Sequence, residues 1–215
     1  MTTSGEDSKR YQNFLKELTD HFEEKESSDN VESVGERIKK IRETKGISLQ
    51  ELSAQTDFPV DLLSQIENKT VSPQIGTIIK LAKSLKTVFG ELTAEEGQKT
   101  YSILRHGERK VVSRSTTQKG HNYTYMSLAS DVKGRHMESF IVKLESDSPE
   151  QELSAHDGEE FIFVIDGEMK VRLGEKVEIL STGDTIYYLS NIPHLVTSNR
   201  NGPTYILAVI YTGSN

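Results

Sequence analysis

The chain has 215 residues, 34% of them hydrophobic and 27% charged, with a net charge of −7. That length accommodates two domains with separate cores, and the absence of any 18-residue apolar run excludes a membrane-spanning helix. With no cysteine, disulfides and thiolate metal sites are excluded as well. The opening "MTTSGEDSKRYQ" has no basic-then-apolar signal pattern, so a cytoplasmic location without a membrane partner is expected.

Charge is unevenly distributed. Residues 1–30 carry four basic and eight acidic side chains, residues 31–92 nine and eight, and residues 93–215 thirteen and seventeen. The middle segment is therefore the one whose balance tolerates a polyanionic partner.

Residues 1–30 are polar and acidic, and "EEKESSDN" (23–30) offers nothing to bury, so this part reads as a flexible tail. Its weakly amphipathic stretch "YQNFLKELTDHF" (11–22) is the exception, suited to a short docking helix. From Val31 to Leu92 the apolar period is helical. Val34, Ile38 and Ile41 share a face that ends at Gly46, a residue suited to a helix C-terminus. Ser48 and Glu51 form a capping-box pattern, Pro59 opens the next helix, and Ser72 before Pro73 reads as another cap. A short fifth helix spans 87–92, and "TAEEGQK" sits within a linker over 93–100.

Beyond the linker the period changes to two. Runs such as "YSIL" (101–104), "YTYMSLA" (123–129), "ESFIVKLE" (138–145), "EFIFVID" (160–166), "TIYYL" (185–189) and "TYILAVIY" (204–211) alternate between turn residues. The pattern predicts an antiparallel sandwich or barrel over 101–215, and hence an α + β two-domain chain.

The stretches "GERIKKIRETKGISLQELS", "FPVDLLSQIENKTVSP" and "TIIKLAKSLKTVFGEL" resemble, in order, the XRE (Cro/repressor-type) helix-turn-helix family with its five-helix, lambda-repressor-like domain. The resemblance implies that residues 59–68 form the recognition helix in the major groove of double-stranded DNA. Val60, Asp61, Ser64 and Gln65 would then face base edges, with Gln65 able to pair bidentately with adenine. Ser48, Lys69, Thr70 and Ser72 would contact phosphates. It also implies a scaffold ion pair between a first-helix arginine, Arg37, and Glu67. Lys69 departs from the family, which places glycine there; if that position needs a positive φ, lysine is strained.

"SAHDGEEFIFVIDG" and "GDTIYYLSNIPH" resemble the two motifs of the cupin (double-stranded β-helix) family. Ser154 replaces one motif histidine, and Ser198 stands where the family has asparagine, leaving His156, Glu160 and His194. Two imidazoles and a carboxylate suit a divalent metal: iron, manganese or zinc. Tyr123, Tyr125, Glu138, Phe140 and one of Tyr187 and Tyr188, here Tyr187, are expected to line the pocket and bind an effector. The order of modules resembles XRE–cupin transcriptional regulators, implying a homodimer, or alternatively a tetramer, that binds an operator and senses a small molecule. The same layout also resembles the hydroxypropylphosphonate epoxidase family of mononuclear iron enzymes. In that reading the triad holds iron and a phosphonate requires a cationic clamp, for which Lys119, Lys133 and Arg135 are near in sequence.

Overall fold

The structure is a computed structural model that describes residues 4–19, 33–87, 89–93, 99–105, 108–109, 111–117, 120–129, 132, 134–146 and 153–211. Side chains of 4–7, 19, 113–117 and 120–122 are not described. Residues 23–30 and 94–98, and with them most of the expected linker, lie outside this set.

Five helices form the middle module: α2 (Val34–Thr44), α3 (Leu49–Thr56), α4 (Val60–Glu67), α5 (Ile75–Ser84) and α6 (Phe89–Thr93). Two capping boxes set their starts. Ser33 Oγ accepts from the Glu36 amide, and Ser48 Oγ accepts from the Glu51 amide, while each glutamate reaches back to the cap backbone. Gly46, at φ +67°, ends α2, and the Ile47 amide returns to the Arg42 carbonyl, satisfying an otherwise orphaned acceptor. Ser72 does not cap α5. That helix begins at Ile75 with Gln74 extended before it, because Pro73 is buried one position too early to enter the first turn. Ile38, Leu52, Leu63, Ile66, Ile78 and Leu81 fill the centre of the module.

The expected arginine–glutamate scaffold pair is present with a different arginine. Arg42, not Arg37, meets Glu67: its Nε lies 2.6 Å from Oε1 and its Nη2 2.8 Å from Oε2. One turn and a half separates the two arginines along α2. Arg42 Nη1 also donates to the Ile47 carbonyl at 2.8 Å, which holds the guanidinium beside Glu67. Lys69 has φ +62°, so the strained geometry anticipated at that position is present.

Nine strands follow: β1 (Val111–Thr117), β2 (Gly120–Ser127), β3 (Met137–Leu144), β4 (Glu159–Asp166), β5 (Glu168–Leu173), β6 (Lys176–Ser181), β7 (Thr185–Leu189), β8 (His194–Ser198) and β9 (Thr204–Tyr211). They form a six-stranded sheet in the order β1-β2-β3-β9-β4-β7 and a three-stranded sheet in the order β6-β5-β8, all antiparallel. "YSIL" pairs with nothing in the described structure; Tyr101 and Ile103 are exposed there, so its alternation lacks a buried face to fix it. Gly167, at φ +103°, makes the β4–β5 turn and lies so close to Thr204 and Arg200 that a side chain would not fit.

Part of the segment expected to be a tail is helical. Residues Ser4–Thr19 form helix α1, and Leu18 is buried with Met126 and Ile141 on the outer side of the large sheet. The Tyr11 hydroxyl donates to the Ile165 carbonyl at 3.2 Å. Sparse apolar residues were enough, because the barrel already offered an apolar strip for them to cover.

The helical core and the barrel core are continuous. Phe89 of α6 packs edge-on against Phe140 of β3, with ring centroids 5.9 Å apart and planes at 73°. This contact places α5 over the mouth of the barrel.

Candidate ligand and metal site

β4 and β7 pair with Glu160 opposite Tyr188 and Phe161 opposite Tyr187. Alternation then sends Glu160 and Tyr188 inward and Phe161 and Tyr187 outward. Tyr187 is therefore 59% exposed, hydrogen-bonded to Glu159, and is no part of the pocket; Tyr188 takes the place expected of it. The sequence narrowed this to one of two adjacent tyrosines, and register decided between them.

His156 and His194 arrive from opposite sides. The segment before β4 pairs with the start of β8, Ser154 and His194 exchanging two backbone hydrogen bonds of 2.8 Å. The His156 amide donates to the Ser190 carbonyl at 3.0 Å. The three side chains meet with His156 Nε2 2.9 Å and His194 Nε2 3.3 Å from the same oxygen, Glu160 Oε1. All are buried, and among the described residues they form the one cluster of metal-ligand type, with ligand atoms within 4.8 Å of one another.

The outer hydrogen bonds fix what the inner atoms are. His156 Nδ1 lies 3.0 Å from the Asp157 carbonyl and His194 Nδ1 2.8 Å from the Ile192 carbonyl. A carbonyl can only accept, so each Nδ1 carries a proton and each ring directs its Nε2 at Glu160. Without a metal, a proton on an Nε2 can bridge to the Glu160 carboxylate; with those protons displaced, two imidazole nitrogens and a carboxylate oxygen converge as three ligand atoms. The donor set fits a divalent metal on this ground, and the two carbonyls are the partners that hold metal-ligating imidazoles in register. Glu160 is otherwise satisfied: Tyr188 donates to Oε2 at 2.7 Å and Ser190 to Oε1 at 3.3 Å.

Charge follows the same logic. Burial would raise the Glu160 carboxyl, but hydrogen bonds and charge from the two imidazoles hold it far below the usual range. Burial pulls His194 down, and the Glu160 contact more than offsets it, leaving it raised. Burial together with the neighbouring carboxylate pushes Tyr188 well above its ordinary value.

The triad opens into a partly open cavity. Its walls are mostly aliphatic and aromatic, including Tyr123, Tyr125, Phe140, Leu195 and Ile206. Tyr123 and Tyr125 stack with centroids 5.9 Å apart, and the Tyr123 hydroxyl donates to the Val196 carbonyl at 2.8 Å. Glu138, expected in the lining, is absent from it. It is buried against Arg135 Nε at 2.8 Å; burial raises its carboxyl to about 7, with Arg135 opposing the shift. That pair also occupies Arg135, whose guanidinium stands 3.1 Å from where a Gly90 side chain would begin. Lys119 and Lys133 lie outside the described residues.

Gln74, Ile75 and Gly76 of the helical module also line the cavity, and nothing in the sequence pointed to them. Only a contact between the two modules could reveal them.

In the helical module, Asp61 is exposed and Val60, Ser64 and Gln65 are half-buried on α4, outside the buried set Leu63, Ile66 and Glu67. Ser48 is exposed at the α3 cap. Lys69 pairs with Glu36, the Thr70 hydroxyl donates to the Gln65 carbonyl at 3.0 Å, and Ser72 is half-buried.

Fold and site together define a helix-turn-helix protein with a carboxy-terminal cupin domain. Residues 38–92 match the helix-turn-helix family and residues 140–210 the cupin domain family. Among individual proteins, the chain is similar to the HTH-type transcriptional regulator SutR of Escherichia coli (strain K12), 22% identical over 166 residues, covering 77% of this chain and 85% of that one. It is also similar to the (S)-2-hydroxypropylphosphonic acid epoxidase of Streptomyces wedmorensis, 24% identical over 139 residues, 60% and 70% of the two chains. A crystal structure of an HTH_3 family transcriptional regulator from Vibrio cholerae shares the fold, with a TM-score of 0.61 and 24% identity over 85% of this chain and 97% of that one. Among the described residues no helix is long and apolar enough to cross a membrane.

Proposed function

We propose that this chain is a cytoplasmic, sequence-specific DNA-binding transcriptional regulator. Its cupin cavity takes a small effector beside a divalent metal held by His156, Glu160 and His194. The observation that carries the reading is α4, where Leu63, Ile66 and Glu67 anchor the helix and Asp61 and Gln65 sit opposite Leu63, with Val60 and Ser64 half-buried at the margin. A helix held in that way can enter a major groove without disturbing its own packing. Gln65 reads a base edge there, and Ser48, Lys69, Thr70 and Ser72 meet the phosphates. A two-fold operator calls for a homodimer with half-sites about one helical turn apart.

The cavity lining indicates the effector's chemistry. Aliphatic walls and two stacked tyrosines suit a compact, mostly apolar molecule, with one oxygen-bearing group directed at the triad. A metal bound there supplies a Lewis acid with positions open to the cavity.

Selection of genomic DNA fragments by the purified protein tests the regulator reading. An enriched motif is expected, bound with steep salt dependence, lost in Gln65→Ala and kept in His156→Ala. No enriched motif, with and without Mn(II) or Fe(II), overturns it.

The buried triad supports a second reading, a mononuclear iron oxygenase. That protein would purify with iron and consume oxygen with a substrate, and Gln65→Ala would leave its turnover intact. The described cavity walls, however, give a phosphonate dianion no cationic side chain to pair with.

A further inference from the structure

The mouth of the cavity is partly covered by the helical module. The first turn of α5 lies across it, with Gln74, Ile75 and Gly76 in the wall. Gly76 makes the closest approach. A Cβ at that position would collide with Ser154 Oγ and stand 2.8 Å from His156 Cδ2 and 3.5 Å from His156 Nε2, the atom that faces Glu160. Only a residue without a side chain lets the helix backbone come down on the triad. Two further contacts hold it there: Ile75 lines the cavity with Tyr125, and Lys83 pairs with Asp157, the residue after His156.

The same turn is joined to the recognition helix by a short ordered connection. Residues 68–73 link α4 to the α5 cap, and the Thr70 and Val71 amides both bond the Gln65 carbonyl, at 2.9 and 3.4 Å. Pro73 is buried. A displacement of the α5 first turn therefore has little slack to absorb it before α4 moves.

We propose that the cupin cavity is a two-domain site. The first turn of α5 acts as its lid, Gly76 is the residue that lets the lid close, and occupancy of the cavity is read by the helix-turn-helix through that lid. This rests on the reading of the cavity as a ligand site. It adds that lifting of α5 widens the way in for ligand or metal, so the two modules respond to one event.

The test uses the full chain and two variants that keep its secondary structure, Gly76→Ala, which favours helix, and Lys83→Glu at an exposed position. Diethyl pyrocarbonate labels imidazole nitrogens, and peptide mapping follows each histidine separately. In the wild type, labelling of His156 and His194 is expected to be slow relative to the exposed His136. Gly76→Ala should accelerate it at least about tenfold and Lys83→Glu by less, since an exposed ion pair holds the lid weakly.

Mn(II) alone is the second probe. Bound to wild type, it should slow hydrogen exchange of the Gly76 and Thr77 amides, and this response should vanish in Gly76→Ala. Equal His156 labelling in wild type and Gly76→Ala, with unchanged circular dichroism, overturns the lid. Mn(II) binding that leaves the α5 amides indifferent also overturns it. If Mn(II) does not bind the wild type, the metal reading of the triad fails, and the labelling comparison decides the lid independently.

Discussion

Replacing Glu67 by alanine should remove a large part of the stability of the helical module. Its carboxylate takes two bonds from Arg42, at 2.6 and 2.8 Å, and the two side chains are 4% and 10% exposed. After truncation the Arg42 guanidinium stays buried, with the Ile47 carbonyl at 2.8 Å and a peripheral contact to Glu43 at 3.5 Å. Leaving one member of a buried pair uncompensated costs about 3–5 kcal/mol. Against the ~5–15 kcal/mol that holds a typical domain together, that is between about a fifth and the whole of the total. Glu67→Gln keeps one acceptor without the charge and should lose about 1.5–3 kcal/mol. The double variant Arg42→Met/Glu67→Leu replaces the pair with apolar bulk and should recover most of the loss. Urea unfolding followed at 222 nm, where the helices dominate, measures all three. A Glu67→Ala loss below about 1 kcal/mol would refute the reasoning, because the pair would then behave as a surface contact. A double variant no better than either single one would show that the packing, not the charge, is what matters.

At Lys69 the φ of +62° sets an order of stability: Lys69→Gly should equal or exceed wild type by up to about 1 kcal/mol, and Lys69→Val should lose more than about 1 kcal/mol by thermal melting. Glu138 makes stability depend on pH. Its folded carboxyl is raised to about 7 from 4.5, so the folded state binds the extra proton, and the benefit is complete below about 4.5 and lost as pH rises through 7. The drop is at most about 3 kcal/mol; unfolding midpoints compared between pH 5 and pH 8 should show it in wild type and not in Glu138→Gln. Tyr188→Phe removes the donor to Glu160 Oε2 and should weaken Mn(II) or Zn(II) binding about 10–100-fold by titration calorimetry, with the fold intact. Unchanged affinity would mean that the hydroxyl does not orient the carboxylate.

Local chemistry made much of this protein legible from its sequence. Ser33, Ser48 and Gly46 punctuate helices by satisfying backbone groups within a few residues, so their signals survive without tertiary context. The switch of apolar period after Leu92 announced a sandwich or barrel, and the resemblance to the two cupin motifs pointed to His156, Glu160 and His194 sharing one cavity. Features that depend on which strand or helix lies opposite were not legible. Tyr187 and Tyr188 are adjacent and alike; the β4–β7 register alone turned the second inward. Glu138 has the parity of a core residue, but Arg135 holds it away from the cavity. Arg37 and Arg42 both precede a helix end in plausible reach of Glu67, and the crossing of α2 with α4 chose Arg42. Gly76 reads as an unremarkable helical glycine until α5 is laid on Ser154 and His156. The sequence by itself determined the two modules and the three polar side chains that converge, because caps, periods and spacings act within a chain segment. Only the tertiary structure decided that the helical module forms a wall of the barrel's cavity, because that contact joins surfaces roughly eighty residues apart that carry no mutual signal in the chain.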